Sequence, residues 1–300
     1  MAPLSTMRRA GAPPCSTLAG MVRRDGIRVA RRCWLPEDLA DDLFARCATA
    51  LASCADDTVI ASTTAARIHG LWLPDLPDEI HLASAQPNRA SRSMTRTQRP
   101  EFQAHRRMLD EADRTTVRGL GVMSLARTWM DLAAVLPLPD LVAAGDSALR
   151  GGCTDDQVQE ALSRSTHLRG IRRAREALPL LDRRSRSRPE SHLRVAVSGP
   201  DLPRFEVNEA VYRDDGGWLA EPDLSLAEAK LALEYQGEDH AEAKRMRKDI
   251  TRSADMRREK WLCVYYGPAE VFTHTWQIRP EVREIIRELA PHLLRRTVRR

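Results

Sequence analysis

The sequence has no run of about 18 apolar residues, so no membrane-spanning helix is expected. The best stretch, Leu132 to Ala144, is interrupted by Pro137, Pro139 and Asp140. A secretory leader is lacking as well, because Arg8, Arg9, Gly11, Pro13 and Pro14 stand where its apolar segment would have to lie. The six cysteines, at 15, 33, 47, 54, 153 and 263, are too few for a disulfide scaffold. No two of them form a C-x-x-C pair, which excludes a thioredoxin-like motif and argues against structural zinc. They read as ordinary thiols of a reducing compartment. Aromatics make up only 5% of the chain, and the six tryptophans are scattered as core anchors would be, not as a base-stacking platform. There is no internal repeat and no heptad seam. A soluble cytoplasmic protein without a membrane partner is expected.

What is present is enough for a packed core. The chain has 300 residues, 42% of them hydrophobic and 30% charged, which suits two domains of about 150 residues each. The net charge of +5 is unevenly spread. Eight arginines lie between Arg169 and Arg188 against Glu176 and Asp182, and eight Lys/Arg lie between Lys244 and Lys260 against Asp249, Asp255 and Glu259. Such clusters suit a polyanion, since each cation–phosphate contact releases counterions. They also suit solvated helix faces.

Residues 1–26 read as a frayed leader and Ile27–Leu35 as a short strand stopped by Pro36. Leu39, Leu43, Cys47 and Leu51 then repeat at helical spacing. A short helix is expected from Ser62, as N-cap, to Gly70, as the residue past its C-cap. A strand follows at Glu79–Ala83, and Ser124 caps a helix with Leu125, Trp129, Leu132 and Val135 inward. Helices are expected at 140–149, after Thr154, and at about 167–178. The segment 183–189 is arginine-rich and reads as a basic linker closing an α+β domain at 27–182. Beyond it, over 190–300, the expected order is α-β-β-β-α-β-α. Its strands are 205–212, 218–226, 230–235 and 261–266, with a hairpin turn at Asp214–Gly217 and a long helix at about 239–260.

One constellation carries chemistry. Asp223 lies near the end of one strand, and Glu234 and Gln236 lie at the end of the next on a shared face, with Gly237 breaking it. If these strands pair tightly, two carboxylates converge into a hard-oxygen site for Mg²⁺ or Mn²⁺. Such an ion polarises a phosphoryl oxygen and activates water. Glu190 is placed to add a third acid, or to serve only as a first-turn acid favoured by the helix dipole. His240 reads as a helix-start residue or as a contributor to phosphate or metal binding. Asp249 and Arg252, three apart, read as a helix ion pair bracing the site.

A helical Glu, then Asp, then E-x-[QK] on adjacent strands resembles the PD-(D/E)xK nuclease superfamily. Glu190, Pro222-Asp223, Glu234-Tyr-Gln-Gly237, His240 and Asp249-x-x-Arg252 resemble its very-short-patch-repair (Vsr-like) endonuclease group. The resemblance implies an α/β restriction-endonuclease-like domain with a small mixed sheet flanked by helices. It implies a metal-dependent endonuclease with Asp223 and Glu234 holding the ion and Glu190, Gln236 and His240 in the catalytic constellation. Gln236 stands where the superfamily usually has Lys; it supplies a hydrogen bond to the attacking water and no positive charge. Lys244, Arg245, Arg247, Lys248 and Arg252 would grip DNA.

The first half has its own resemblance. Ser62-x-x-Ala65-Ala66-x-x-His69-Gly70-Leu71, the strand Ile80-His-Leu82, and Ser124-x-x-Arg127-Thr128-x-x-Asp131-Leu132-Ala133 are similar to the AbiEi-type abortive-infection antitoxin family. That resemblance implies an N-terminal winged helix–turn–helix, of which only a wing-like strand, Ile27–Leu35, is legible. It also implies a partner toxin or a second copy as partner. His69 and Asp131 read as a capping histidine and a structural carboxylate. Three functions follow: a DNA endonuclease in a phage-defence or toxin–antitoxin setting, a DNA-binding antitoxin on a silent nuclease fold, or a toxin-neutralising protein module.

Overall fold

The apolar periods separate into two bodies of structure in a computed structural model that describes residues 27–30, 33–85, 102–165, 167–237 and 254–294. By contact the first unit comprises the chain to Leu71, Asp75–Ala134 and Asp156–Arg169, and the second comprises Trp72–Pro74, Val135–Asp155 and everything from Gly170. Both are mixed α/β, with mixed sheets flanked by helices.

In the first unit the expected strand at 27–35 is a hairpin, β1 (Ile27–Ala30) and β2 (Cys33–Leu35), with Ile27 opposite Leu35. Helix α1 (Leu43–Leu51) starts later than the hydrophobic period suggests, because the Asp42 carboxylate accepts the Ala45 N–H and caps it there. A five-stranded sheet follows in the order β5-β4-β3-β7-β6: β3 (Val59–Ile60), β4 (Ile80–Ser84), β5 (Phe102–Arg106), β6 (Arg114–Val117) and β7 (Leu120–Met123). Pairs β4/β5 and β3/β7 are parallel, the others antiparallel. Strand β6 has too polar a sequence to stand out. Its hairpin is set by Arg118 and Gly119, both at positive φ, as a two-residue primed turn requires.

Helix α2 (Ser62–Ile68) and α3 (Leu125–Leu132) pack against each other, and Ala65 and Ala66 of α2 are fully buried. Ser62 is the first helical residue and not the cap. Gly70, at φ +71°, ends α2: its N–H reaches Arg67 O and the Leu71 N–H reaches Ala66 O, which places glycine where a left-handed backbone is required. Ser124 caps α3 as expected, and Trp129 and Leu132 are fully buried, whereas Val135 lies beyond the helix and is exposed.

Helix α4 (Leu138–Arg150) belongs to the second unit, and α5 (Asp155–Arg164), apart from its first residue, to the first. Then come α6 (Ile171–Ala177) and α7 (Arg188–Val197). Polar side chains join α4 to α7. Ser191 donates to Asp146 at 2.6 Å, Arg194 pairs with Asp146, and Arg188 and His192 both donate to Asp140. These contacts explain why 135–155 groups with the later chain. Residues 183–189, expected as a linker, are packed within this unit. Ser185 is fully buried, the Asp182 N–H donates to Asp146 at 2.7 Å, and Ser187 caps α7.

The second unit holds a four-stranded sheet in the order β13-β12-β11-β8, formed by β8 (Glu206–Val207), β11 (Leu224–Leu226), β12 (Leu231–Tyr235) and β13 (Leu262–Tyr266). Only β12/β13 is parallel. Each of the two long strands expected at 205–212 and 218–226 is divided between this sheet and a separate hairpin, β9 (Val211–Tyr212) with β10 (Trp218–Ala220). Asn208 at φ +47° breaks the first, and Glu221-Pro222-Asp223 breaks the second. Leu193 and Val197 of α7 pack on Leu231 and Leu233, together with Ile278, Val282 and Ile286 of α8 (Thr275–Leu289). Ala232, pointing the other way, packs with Leu219, Met256 and Trp261. The long helix expected at 239–260 falls largely outside the described residues. Among the described residues no helix is long and apolar enough to cross a membrane.

Candidate functional site

The β11/β12 register decides how the acidic residues meet. The ladder ends with Leu224 opposite Leu233, which sets Asp223, just before β11, across from Glu234. Glu234 is 8% exposed and shares its face with Ala232. Asp223 is half-buried; its Oδ2 accepts the Tyr235 N–H at 2.8 Å and its carbonyl accepts the Asn208 N–H at 3.0 Å. Gln236 lies just past β12, exposed, its N–H bonded to Tyr266 O at 2.9 Å.

The Glu190 carboxylate has donors of its own. Its Oε1 accepts from Ser187 Oγ at 2.9 Å, and its Oε2 accepts from the Arg186 N–H and from Asn208 Nδ2, each at 2.8 Å. Three donors engage this carboxylate, and Asn208 also donates to Arg184 O at 2.9 Å. Glu190 therefore closes a cap and ties α7 to the chain leaving β8. A hard cation would have to compete with all three donors for it. Among the described residues no group of three His, Cys, Asp or Glu side chains converges as a metal site. His240, Lys244, Arg245, Arg247, Lys248 and Arg252 lie outside the described residues.

The basic segment before α7 is largely neutralised within its own unit. Arg183 pairs with Asp155 at 2.6 Å, Arg184 with Asp182 at 2.9 Å and with Glu206 and Glu209 at 3.3 Å, Arg186 with Glu221, and Arg188 with Asp140 at 2.7 Å. The period of charge was legible in the sequence, but the carboxylates that answer it are up to 48 residues away. Arg172 and Arg175 on α6 remain exposed with no ion pair among the described residues.

In the first unit the two motifs resolve into local physics. The Ser124 hydroxyl accepts the Arg127 N–H, and Thr128 Oγ1 and His69 Nε2 both donate to Met123 O, at 3.3 and 2.7 Å. Burial holds the His69 imidazole below its ordinary pKa. Arg127 sits between Asp113 and Asp131, at 3.5 and 3.6 Å, and Arg164 reaches Asp113 at 2.9 Å. His69 and Asp131 thus do the structural work expected of them.

The sequence did not point to the neighbouring pair His81 and His105. Their strands are separated in sequence, and neither residue falls in a ligand-spacing pattern. Parallel pairing of β4 with β5 brings His81 Nδ1 and His105 Nε2 to 2.8 Å, with rings nearly parallel, and Glu79 Oε2 lies 3.4 Å from His81 Nε2. Burial, then the neighbouring His81 and Arg107, push His105 down to about 4, against the pull of Asp131 and Glu79; burial and Arg67 lower His81 too. Burial raises Asp131. A histidine depressed in the fold binds its proton more readily when unfolded. Its contribution to stability is therefore complete above about pH 6.5 and is lost as pH falls toward about 4. Chemical unfolding between pH 7.5 and 4 is expected to show that acid loss, and His105→Gln should flatten it. An equally steep acid limb in His105→Gln would place the loss elsewhere.

Two uncharacterized proteins from two strains of Mycobacterium tuberculosis are each 32% identical to this chain over 148 residues. The alignment covers 48% of this chain and 54% of each relative, so the chain spans about half the length of the curated relatives it matches. No solved structure matches. Residues 57–181, which contain Ser62–Leu71, Ile80–Leu82 and Ser124–Ala133, match the AbiEi antitoxin C-terminal domain, and that match supports a toxin–antitoxin setting.

Proposed function

We propose that this chain is a binding protein of a toxin–antitoxin pair, neutralising a partner toxin or regulating through DNA, with a C-terminal unit that does not cleave. The match of residues 57–181 to the AbiEi antitoxin C-terminal domain carries this reading. Two features of the second unit agree with it: the Glu190 carboxylate is engaged by three donors, and Gln236 supplies no positive charge to a developing oxyanion. Co-expression tests it. The full chain is expected to restore growth to cells expressing the toxin encoded beside it and to co-purify with that toxin. Growth arrest that persists with both proteins present would sink the proposal.

One observation favours a second reading, a metal-dependent endonuclease of the restriction-endonuclease fold: the register sets Asp223 opposite Glu234. In that reading the two carboxylates hold Mg²⁺ or Mn²⁺ and Lys244, Arg245, Arg247, Lys248 and Arg252 contact phosphates. Plasmid nicking with either metal separates the two. No nicking is expected from the wild type. Nicking that Glu234→Ala abolishes would replace the binding reading with the enzymatic one. Cleavage gained only by Gln236→Lys would identify a silent nuclease scaffold.

A further inference from the structure

A cavity of about 210 Å³ opens in the second unit between the turn Leu178–Leu180, with the residues after it, and the loop from α7 to β8. Its apolar wall is made by Leu180, Val197, Leu202, Phe205 and Val207. Two guanidinium groups share the lining. Arg194 is only 7% exposed and gives hydrogen bonds to Leu180 O, to Asp146 and to Ser185 Oγ. A guanidinium has five N–H donors, so these three acceptors leave two donors over in a buried side chain that lines the cavity. Such donors need an acceptor, either water or a ligand. Arg204, exposed at the same cavity, makes no hydrogen bond or ion pair among the described residues.

We propose that this cavity binds a small carboxylate with a short, branched apolar body. Planar guanidinium forks match a carboxylate, an acceptor-only head group, better than they match an alcohol or an amide. The charge count selects a monoanion. Of the charged residues in the lining, Arg194 is paired with Asp146 and Asp182 with Arg184, which also meets Glu206 and Glu209; Arg204 is left as the lining cation without an ion pair among the described residues. A phosphate dianion would bring one charge too many beside Asp182. The volume lies below the range of about 300–1,000 Å³ usual for drug-sized ligands, so the body is short.

The test uses the full chain with labelled Leu and Val methyl groups, titrated with isocaproate and followed by NMR. Saturable shifts are expected at Val197, Leu202 and Val207. Isocaproamide, of the same shape without the charge, and inorganic phosphate should each bind at least about tenfold more weakly. Arg204→Ala, at an exposed position with no partner to lose, should fold normally and weaken isocaproate by about tenfold. Isocaproate that leaves these methyls unmoved up to about 20 mM, at the weak limit of specific binding, would overturn the site. Equal binding of isocaproamide or phosphate, or unchanged affinity in Arg204→Ala, would overturn the proposed carboxylate recognition.

Discussion

Asp146→Ala is expected to lower the unfolding free energy by about 3–5 kcal/mol, enough to unfold a marginal domain. Asp146 is fully buried on α4, and its carboxylate accepts from Arg194, from Ser191 Oγ at 2.6 Å and from the Asp182 N–H at 2.7 Å. Removing it leaves the Arg194 guanidinium uncompensated at 7% exposure, and that orphaned charge dominates the loss. The double variant Asp146→Leu with Arg194→Met should regain much of the stability, because neither charge is then buried alone. It should still fall short of the wild type, since the Asp182 N–H loses its acceptor at about 1–3 kcal/mol, while Ser191 Oγ keeps Ser187 O at 3.3 Å. Glu284→Ala on α8 gives the contrast. Its partner Arg287 is also well exposed, so about 0–1 kcal/mol is expected. Urea unfolding of the four proteins reads all of this. An Asp146→Ala loss no larger than that of Glu284→Ala would show that the buried pair does not hold α4 to α7.

That clamp also shows where sequence reading stops. Strands β4, β12 and β13 and helices α3 and α4 are legible because the hydrophobic period and the stop signals around each agree. At α3 the cap agrees as well, since Ser124 precedes an apolar helical stripe. The grouping of α4 with α7 is not legible, because it rests on Asp140 and Asp146, which read as solvent-facing acids until their partners 45 to 52 residues away are placed. The same limit hid the pairing of Arg183–Arg188 with distant carboxylates, so that a segment with a buried Ser185 and paired arginines reads as a linker. At the candidate site, the antiparallel pairing of β11 with β12 was legible because strand alternation and a short connection determine it. The engagement of Glu190 was not, because Asn208 has to adopt a left-handed backbone before its amide can bridge Arg184 and Glu190.

The other large effect is expected in the first unit. Arg127→Met should destabilise the chain by about 3–5 kcal/mol at neutral pH and by progressively less as pH falls. Arg127 is 7% exposed and stands between two carboxylates whose side chains are 6% and 4% exposed, those of Asp113 and Asp131. Asp113 keeps Arg164 at 2.9 Å, whereas among the described residues the cation left to Asp131 within ion-pair distance is Arg107, at 3.9 Å. The penalty therefore falls mainly on Asp131. Burial already raises its carboxyl above the ordinary value, and Arg127 is the largest influence opposing that rise. Without the guanidinium, the folded state of the variant holds the Asp131 proton more tightly still. A carboxyl raised in the fold weakens stability above its folded pKa and ceases to do so once both states are protonated. The gap between wild type and Arg127→Met should accordingly narrow as pH drops from 7 toward 4. Adding Asp131→Asn to the variant should close most of the gap at pH 7, because a neutral amide no longer requires the lost charge. A gap that stays constant across that pH range, or that Asp131→Asn leaves unchanged, would mean that Arg127 stabilises the unit by packing its methylene stem and not by balancing a buried charge.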